Sequence, residues 1–247
     1  MASLAFNKNP QALHIAGVRD THDAFFAQIE GVGTMMDAAL LFERYMVEIF
    51  GLGGSSGEPG RVRRFRPSYL RLLKGWGFDS NSAEGAVLKG WVESRFGLLP
   101  SFHKEALERF GSPAWSNYME EKMSRRFHDY RIGLQLDLLY EFCQWALARW
   151  FCPGHRHLKL YRGVNDFSEY QVIRRASGRS AVVRLNNLVS FTADRHIACE
   201  FGDYIIEAQV PKVKILFFKD LLPHHPLKGE AEYLVIGGEY RVQVAYL

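Results

Sequence analysis

The spacing of apolar residues changes near residue 155, and this change limits the chain to folds that join a helical part to a sheet. Before that point apolar side chains recur every three or four residues, which is helical periodicity. After it they fall in short runs rich in β-branched and aromatic residues, separated by turn residues. We therefore predict an α+β protein, with a helical region at 1–155 and an antiparallel β-sandwich core at 156–247.

Capping residues mark the ends of the predicted helices. A helix over Thr34–Phe50 ends at Gly51, and a second over Ser82–Phe96 ends at Gly97, because glycine is the preferred residue after a helix. The longest apolar periodicity predicts one continuous helix over Ser116–Trp150. A short helix is expected at Asp194–Phe201, with Phe201 in the core.

The sequence of the second region predicts a series of strands. Gly237-Gly238 stands between two alternating runs and predicts a two-residue hairpin turn, since glycine tolerates the positive φ angles of such turns. The predicted strands are Leu158–Tyr161, Ala181–Leu185, Leu188–Phe191, Tyr204–Val210, Val213–Phe218, Ala231–Ile236 and Tyr240–Tyr246.

Composition excludes several classes of protein. Hydrophobic residues make up 47% and charged residues 23% of the 247 residues, which is typical of a folded chain and not of a disordered one. No apolar run approaches the roughly 20 residues that span a bilayer, and no signal peptide is recognisable. We expect a cytoplasmic protein without an integral membrane segment. The three cysteines form no CxxC pair, so reduced thiols and no metal site are expected.

The net charge of +4 leans basic but lacks the clustering expected of a nucleic-acid binder, and no nucleic-acid partner is expected. One local exception is the run Arg61–Arg66, which holds four arginines in six residues. Such a run is either a solvated loop flank or a surface for docking an acidic protein. The glycine-rich segment Gly51–Gly57 follows a helix where a nucleotide-binding loop requires a strand, so we interpret it as a linker.

Three short motifs in the second region carry chemistry. Arg162 closes an apolar strand just before Gly163, where a long cationic side chain can reach a phosphate and glycine lets a ligand approach the backbone. Ser190-Phe191-Thr192 ends another strand. The Ser190 hydroxyl can donate and accept hydrogen bonds near a ribose, and Thr192 is expected to cap the following helix.

The third motif is Glu230-Ala231-Glu232. Side chains alternate along a strand, so both carboxylates project from one face and together favour a cation such as a guanidinium. A carboxylate beside a ribose also stabilises the oxocarbenium-like centre that forms when a glycosidic bond breaks. One acid for the ribose and one for the acceptor suits transfer of ADP-ribose from NAD to an arginine.

In this order the three motifs resemble the Arg-Ser-Glu signature of the cholera-toxin-like ADP-ribosyltransferases, in which Glu-x-Glu marks arginine as the acceptor. The whole chain is similar to the bacterial dinitrogenase reductase ADP-ribosyltransferase family. This resemblance implies NAD as substrate, the nitrogenase iron protein as the protein that is modified and inactivated, and a PII signal protein as regulator. One departure is Ser-Phe-Thr, where relatives often have Ser-Thr-Ser.

The resemblance also implies roles for the motif residues. It places Arg162 on the NAD phosphates, Ser190 near the nicotinamide ribose, Glu232 as the catalytic acid that stabilises the oxocarbenium, and Glu230 against the acceptor arginine. Gly163, Phe191 and Thr192 complete the expected NAD-binding set. Two alternatives stay open: an NAD glycohydrolase with water as acceptor, and a regulatory binding module without catalysis.

Overall fold

The computed structural model describes residues 1–52, 68–124, 126–127, 129–151, 153–165, 171–175, 179–223 and 233–246. The Arg61–Arg66 run, most of the Gly51–Gly57 segment and the Glu230-Ala231-Glu232 motif lie outside the described residues. Among those residues no helix combines the length and hydropathy needed to cross a bilayer.

The first region is helical, as predicted. The helix over Met35–Phe50 begins after Thr34, whose hydroxyl accepts the Asp37 amide at 3.1 Å, and ends at Gly51 with φ +62°. Ser82 and Gly97 bound the next predicted helix in the same way. The eight helices described before residue 150 are α1 Leu4–Lys8, α2 Val18–Thr21, α3 Asp23–Glu30, α4 Met35–Phe50, α5 Tyr69–Phe78, α6 Ala83–Phe96, α7 Pro113–Lys122 and α8 Tyr130–Arg149.

The prediction of one helix over Ser116–Trp150 is wrong, because the chain breaks between α7 and α8. Asp129 is the N-cap of α8, and its carboxylate accepts the Arg131 amide at 2.9 Å. Helix α7 packs against α6, whereas α8 packs against the sheet. Two helices that bury against different partners therefore produced one apparently continuous apolar pattern.

The second region forms a six-stranded antiparallel sheet. Its order is β3-β6-β8-β5-β4, and β7 also pairs with β8. The α+β class is confirmed, but the sandwich is not, since the described strands of this region are all joined by hydrogen bonds in one sheet. In chain order the elements are β1 Phe102–His103, β2 Glu105–Ala106, β3 His157–Val164, β4 Gln171–Arg175, β5 Ser180–Phe191, α9 Arg195–Cys199, β6 Tyr204–Pro211, β7 Ile215–Phe218 and β8 Tyr233–Tyr246.

The predicted hairpin turn at Gly237-Gly238 is wrong, because β8 runs through both glycines as one strand of 14 residues. The pair lies opposite a bulge in β5, where the register shifts between Leu185 and Leu188. A Cβ on Gly237 would lie 1.6 Å from the Asn186 carbonyl oxygen. Gly237 therefore allows β8 and β5 to approach each other, a use that leaves the same sequence pattern as a turn.

One hydrophobic core includes residues from both regions. Helix α8 lies along β7, where the Gln144 side-chain amide donates to the Ile215 carbonyl at 2.8 Å. At the other end of the chain, Asn7 of the short helix α1 donates to the Glu239 carbonyl of β8 at 2.7 Å. The core crosses the predicted boundary at residue 155, and the division into two domains stays a prediction.

Candidate active site

The end of β5 meets β3, although two other strands separate them in the order of the sheet. Tyr161 and Thr192 exchange two backbone hydrogen bonds, each 2.8 Å long. This bridge places the residue after Tyr161 and the residues before Thr192 side by side. The arginine and serine motifs, nearly thirty positions apart in the sequence, therefore come together.

Arg162 contacts Ser190 directly. Its guanidinium nitrogen Nη1 donates to the Ser190 carbonyl oxygen at 2.9 Å, and both residues are half-buried. A guanidinium carries five N–H donors in a planar fork, which suits it to phosphate oxygens as well as to a carbonyl. The structure thus joins a phosphate-binding type of side chain to a strand end that presents a hydroxyl.

The Ser190 hydroxyl has a partner that the sequence did not indicate. The indole nitrogen Nε1 of Trp76, on α5, donates to Ser190 Oγ at 2.9 Å. Trp76 is 4% exposed, so its ring is buried while its polar edge reaches the strand end. Gly75 and Gly77 flank it in the sequence, and glycine inside a helix is unfavourable without a packing reason. That signal indicates close packing of α5 but not its contact with Ser190.

Gly163 packs against the protein itself. A Cβ at this position would lie 2.0 Å from the Ala198 carbonyl oxygen, so α9 rests directly on the end of β3. Gly202 makes a similar approach to Val164, where a Cβ would lie 2.3 Å from the backbone carbon. Glycine is required here by the contact between β3 and α9. A role for Gly163 in binding NAD stays a prediction.

The other two residues of the serine motif are buried. Phe191 is 2% exposed and lies in the core beside Tyr240, and Thr192 is 3% exposed. The expectation that Thr192 caps α9 is wrong, because the N-cap is Asp194, whose carboxylate accepts the His196 amide at 2.8 Å. The Thr192 hydroxyl instead accepts the Asp194 amide at 3.1 Å and so fixes the turn before the helix.

Phe201 also differs from its prediction. We expected it in the core, but it is 39% exposed at the end of α9. The short helix is only five residues long, and its one buried residue is Ala198. A small residue is enough there because the helix lies so close to Gly163.

Glu230 and Glu232 lie outside the described residues, so the structure does not test whether the carboxylates face the Arg162–Ser190 pair. The first described residue after them is Tyr233, which pairs with Phe191 in the ladder between β8 and β5. Leu234 pairs with Ser190. Within the described part of the chain no cluster of three or more histidine, cysteine or acidic side chains could hold a metal ion.

The chain has clear relatives. The model of the family described as dinitrogenase reductase ADP-ribosyltransferase (DRAT) matches residues 1–244. A protein of Rhodospirillum rubrum, called NAD(+)--dinitrogen-reductase ADP-D-ribosyltransferase, is 56% identical over 252 residues, which cover 100% of this chain and 91% of the relative. No solved structure matches the chain.

Proposed function

The chain belongs to the dinitrogenase reductase ADP-ribosyltransferase family, and from that premise we propose that it transfers ADP-ribose from NAD to an arginine of the nitrogenase iron protein. The modification inactivates the iron protein and thereby regulates nitrogen fixation. The observation that carries this proposal is the 2.9 Å contact of Arg162 with Ser190, which brings two of the three motifs to one place.

The described residues supply the NAD side of the reaction. Arg162 binds the diphosphate, because a half-buried guanidinium offers several donors to anionic oxygens. Ser190 orients the nicotinamide ribose or the carboxylate beside it. Phe191 and Thr192 act indirectly, since their buried side chains fix the strand end that carries Ser190. Gly163 acts indirectly as well, by letting α9 lie against β3.

Glu232 and Glu230 supply the two negative charges that the transfer needs. As the bond between C1′ of the ribose and the nicotinamide nitrogen breaks, the pair of electrons leaves with neutral nicotinamide and C1′ becomes cationic. Glu232 stabilises that charge. Glu230 holds the acceptor guanidinium and takes the proton that its nitrogen loses when the new bond to C1′ forms.

The short chain segment between Glu232 and Leu234 supports the catalytic role proposed for Glu232. Two peptide units, which together span at most roughly 7.6 Å, separate it from Leu234. Leu234 is the residue that pairs with Ser190. Chain connectivity therefore keeps Glu232 close to the strand position that pairs with Ser190.

The first test is the variant Glu232→Gln. Loss of a group that stabilises charge in the transition state lowers turnover by roughly 100-fold or more. Nicotinamide release and mass spectrometry of the iron protein measure the two products. Glu239→Gln is a matched control, because Glu239 lies on β8 but pairs with Arg184 at 3.0 Å. Activity of Glu232→Gln equal to that of the control removes Glu232 from the mechanism.

Glu230→Gln separates transfer to arginine from hydrolysis. If Glu230 holds the guanidinium, this variant loses modification of the iron protein and keeps part of its NAD hydrolysis. Parallel loss of both activities contradicts that role. If the unaltered protein hydrolyses NAD without modifying the iron protein, the NAD glycohydrolase is the better description. If the unaltered protein releases no nicotinamide from NAD in the presence of the iron protein, the non-catalytic binding module is the better description.

Two further parts of the proposal concern the regulator, which the family resemblance implies, and the location. A PII signal protein is the proposed regulator, and the cytoplasm is the proposed location. The described cysteines, Cys143 and Cys199, are free thiols, which suits a reducing compartment. Co-purification of the chain with a PII protein, compared with and without the effectors of PII, tests the partner.

A further inference from the structure

Trp76 is the one described side chain that reaches the Ser190 hydroxyl from the helical region. It lies 114 positions from Ser190 in the sequence, on α5. The indole ring is buried and its single N–H points at Ser190 Oγ. The contact is therefore a specific polar link between the helical region and the strand end of the site.

A buried lysine helps to fix the indole. The Lys89 ammonium lies 6.0 Å from the centre of the Trp76 ring, within the range of a cation–π contact. It is itself held by the Asn81 side chain at 3.1 Å, the Phe102 carbonyl at 3.0 Å and His103 Nδ1 at 3.2 Å. With its three donors engaged, the Lys89 ammonium is held in place beside the indole.

The contact sets the direction in which Ser190 donates. A hydroxyl has one hydrogen to donate and two lone pairs to accept with. The indole can only donate, so it occupies a lone pair of Oγ, and the hydroxyl hydrogen turns away from Trp76. Arg162 fixes the same residue through its carbonyl, so side chain and main chain are both held.

We propose that Trp76 is a positioning residue of the ADP-ribosyltransferase reaction, which orients the Ser190 hydroxyl toward the ribose or its carboxylate. This inference rests on the proposed function of the same site. Because Trp76 acts through Ser190, its loss should slow turnover and leave the binding of NAD nearly unchanged.

Trp76→Phe tests the inference, since phenylalanine keeps a buried aromatic ring and removes the N–H donor. We expect kcat for modification of the iron protein to fall roughly tenfold, the worth of one oriented hydrogen bond, and KM for NAD to stay within about twofold. Trp91→Phe is the matched control. Trp91 is also buried in the helical region, and its indole donates to Asp137 at 2.8 Å instead of to the site.

A double-mutant cycle shows whether Trp76 acts through Ser190. In the Ser190→Ala background, Trp76→Phe should cause no further loss, because the hydroxyl that it orients is already absent. Thermal midpoints of all variants are measured in parallel. If the effects of the two substitutions multiply, or if Trp76→Phe and Trp91→Phe lower kcat equally, Trp76 is only structural and the inference is overturned.

The proposed function fails in a distinguishable way. If the unaltered protein and Trp91→Phe both lack transferase activity, the enzyme itself is ruled out, and Trp76 has no reaction to serve. If both are active and Ser190→Ala is impaired while Trp76→Phe retains full kcat, only the positioning role of Trp76 is ruled out.

Discussion

Gly237→Ala tests the bent strand at the centre of the sheet. A Cβ on residue 237 would lie 1.6 Å from the Asn186 carbonyl oxygen and 2.8 Å from its carbonyl carbon. Real Cβ contacts do not fall below 3.0 Å, so backbone must move by more than an ångström. A flexible side chain could turn aside, but here the obstructing atoms belong to the main chain of β5.

The cost of this movement follows from what surrounds the glycine. The ladder pairs Leu185–Gly238 and Leu188–Ile236 lie on either side, and Leu185, Leu188 and Ile236 are buried. Separating the strands weakens two or three hydrogen bonds of about 1 kcal/mol each and adds the strain of an overfilled core. We expect a total of about 3–5 kcal/mol, a large part of the 5–15 kcal/mol that is typical of a folded protein.

Urea unfolding and thermal denaturation measure the effect. For a chain of this size the expected loss lowers Tm by roughly 10 °C. Gly133→Ala is the matched control, because Gly133 lies inside α8 and a Cβ there would meet only Arg95, at 3.4 Å. That variant should gain about 0.5–1 kcal/mol. A Gly237→Ala protein as stable as the unaltered chain would refute the close approach of the Asn186 backbone to residue 237.

Two buried charged residues yield the remaining predictions. Burial lowers the pKa of Lys214 from 10.5 to about 7, and the unfolded chain binds that proton more tightly, so stability should rise as pH increases between those values. Lys214→Met should reduce the slope of the urea midpoint between pH 7 and pH 9, and an unchanged slope would contradict the assignment. Glu141→Gln breaks a pair in which the fully buried carboxylate accepts from Arg19 at 2.7 Å. Because Arg19 is 40% exposed, we expect a loss of about 2 kcal/mol in urea unfolding, less than the 3–5 kcal/mol of a fully buried pair, and no loss would show that solvent replaces the contact.

Helix ends could be predicted from the sequence because their signals are local. The Thr34 and Ser82 hydroxyls accept amides three residues ahead, and Gly51 and Gly97 adopt positive φ angles. All of these interactions lie within one turn of the helix that they bound. The extent of a helix is less local, and the break before α8 depends on which neighbour each segment packs against.

The topology of the sheet could not be predicted in the same way. Alternating runs on both sides of Gly237-Gly238 are compatible with a turn or with one bulged strand, because side chains alternate in either case. The choice depends on Asn186, which approaches from β5. A contact of that kind joins positions some fifty residues apart and leaves no periodic signal.

The same distinction between local signals and distant contacts applies to the residues of the site. The family resemblance implied that Arg162 and Ser190 serve one NAD site, and Arg162 does contact Ser190. The sequence did not indicate Trp76, which resembles any other core aromatic on a helix. The exposure of Phe201 was missed for a related reason, because a small residue, Ala198, is the one that packs on β3.

The bend in the sheet and the site depend on each other. In a flat sheet β3 and β5 would be separated by β6 and β8, a distance of about 14 Å at three strand spacings. Yet Arg162 of β3 lies 2.9 Å from the carbonyl of Ser190 in β5. The sheet must therefore curl until the end of β5 meets β3. The described bulge opposite Gly237 provides such a bend, because β8 pairs with β7 on one side of it and with β6 on the other. The arginine and serine motifs thus meet because the sheet is bent, and the bulge opposite Gly237 is one source of that bend.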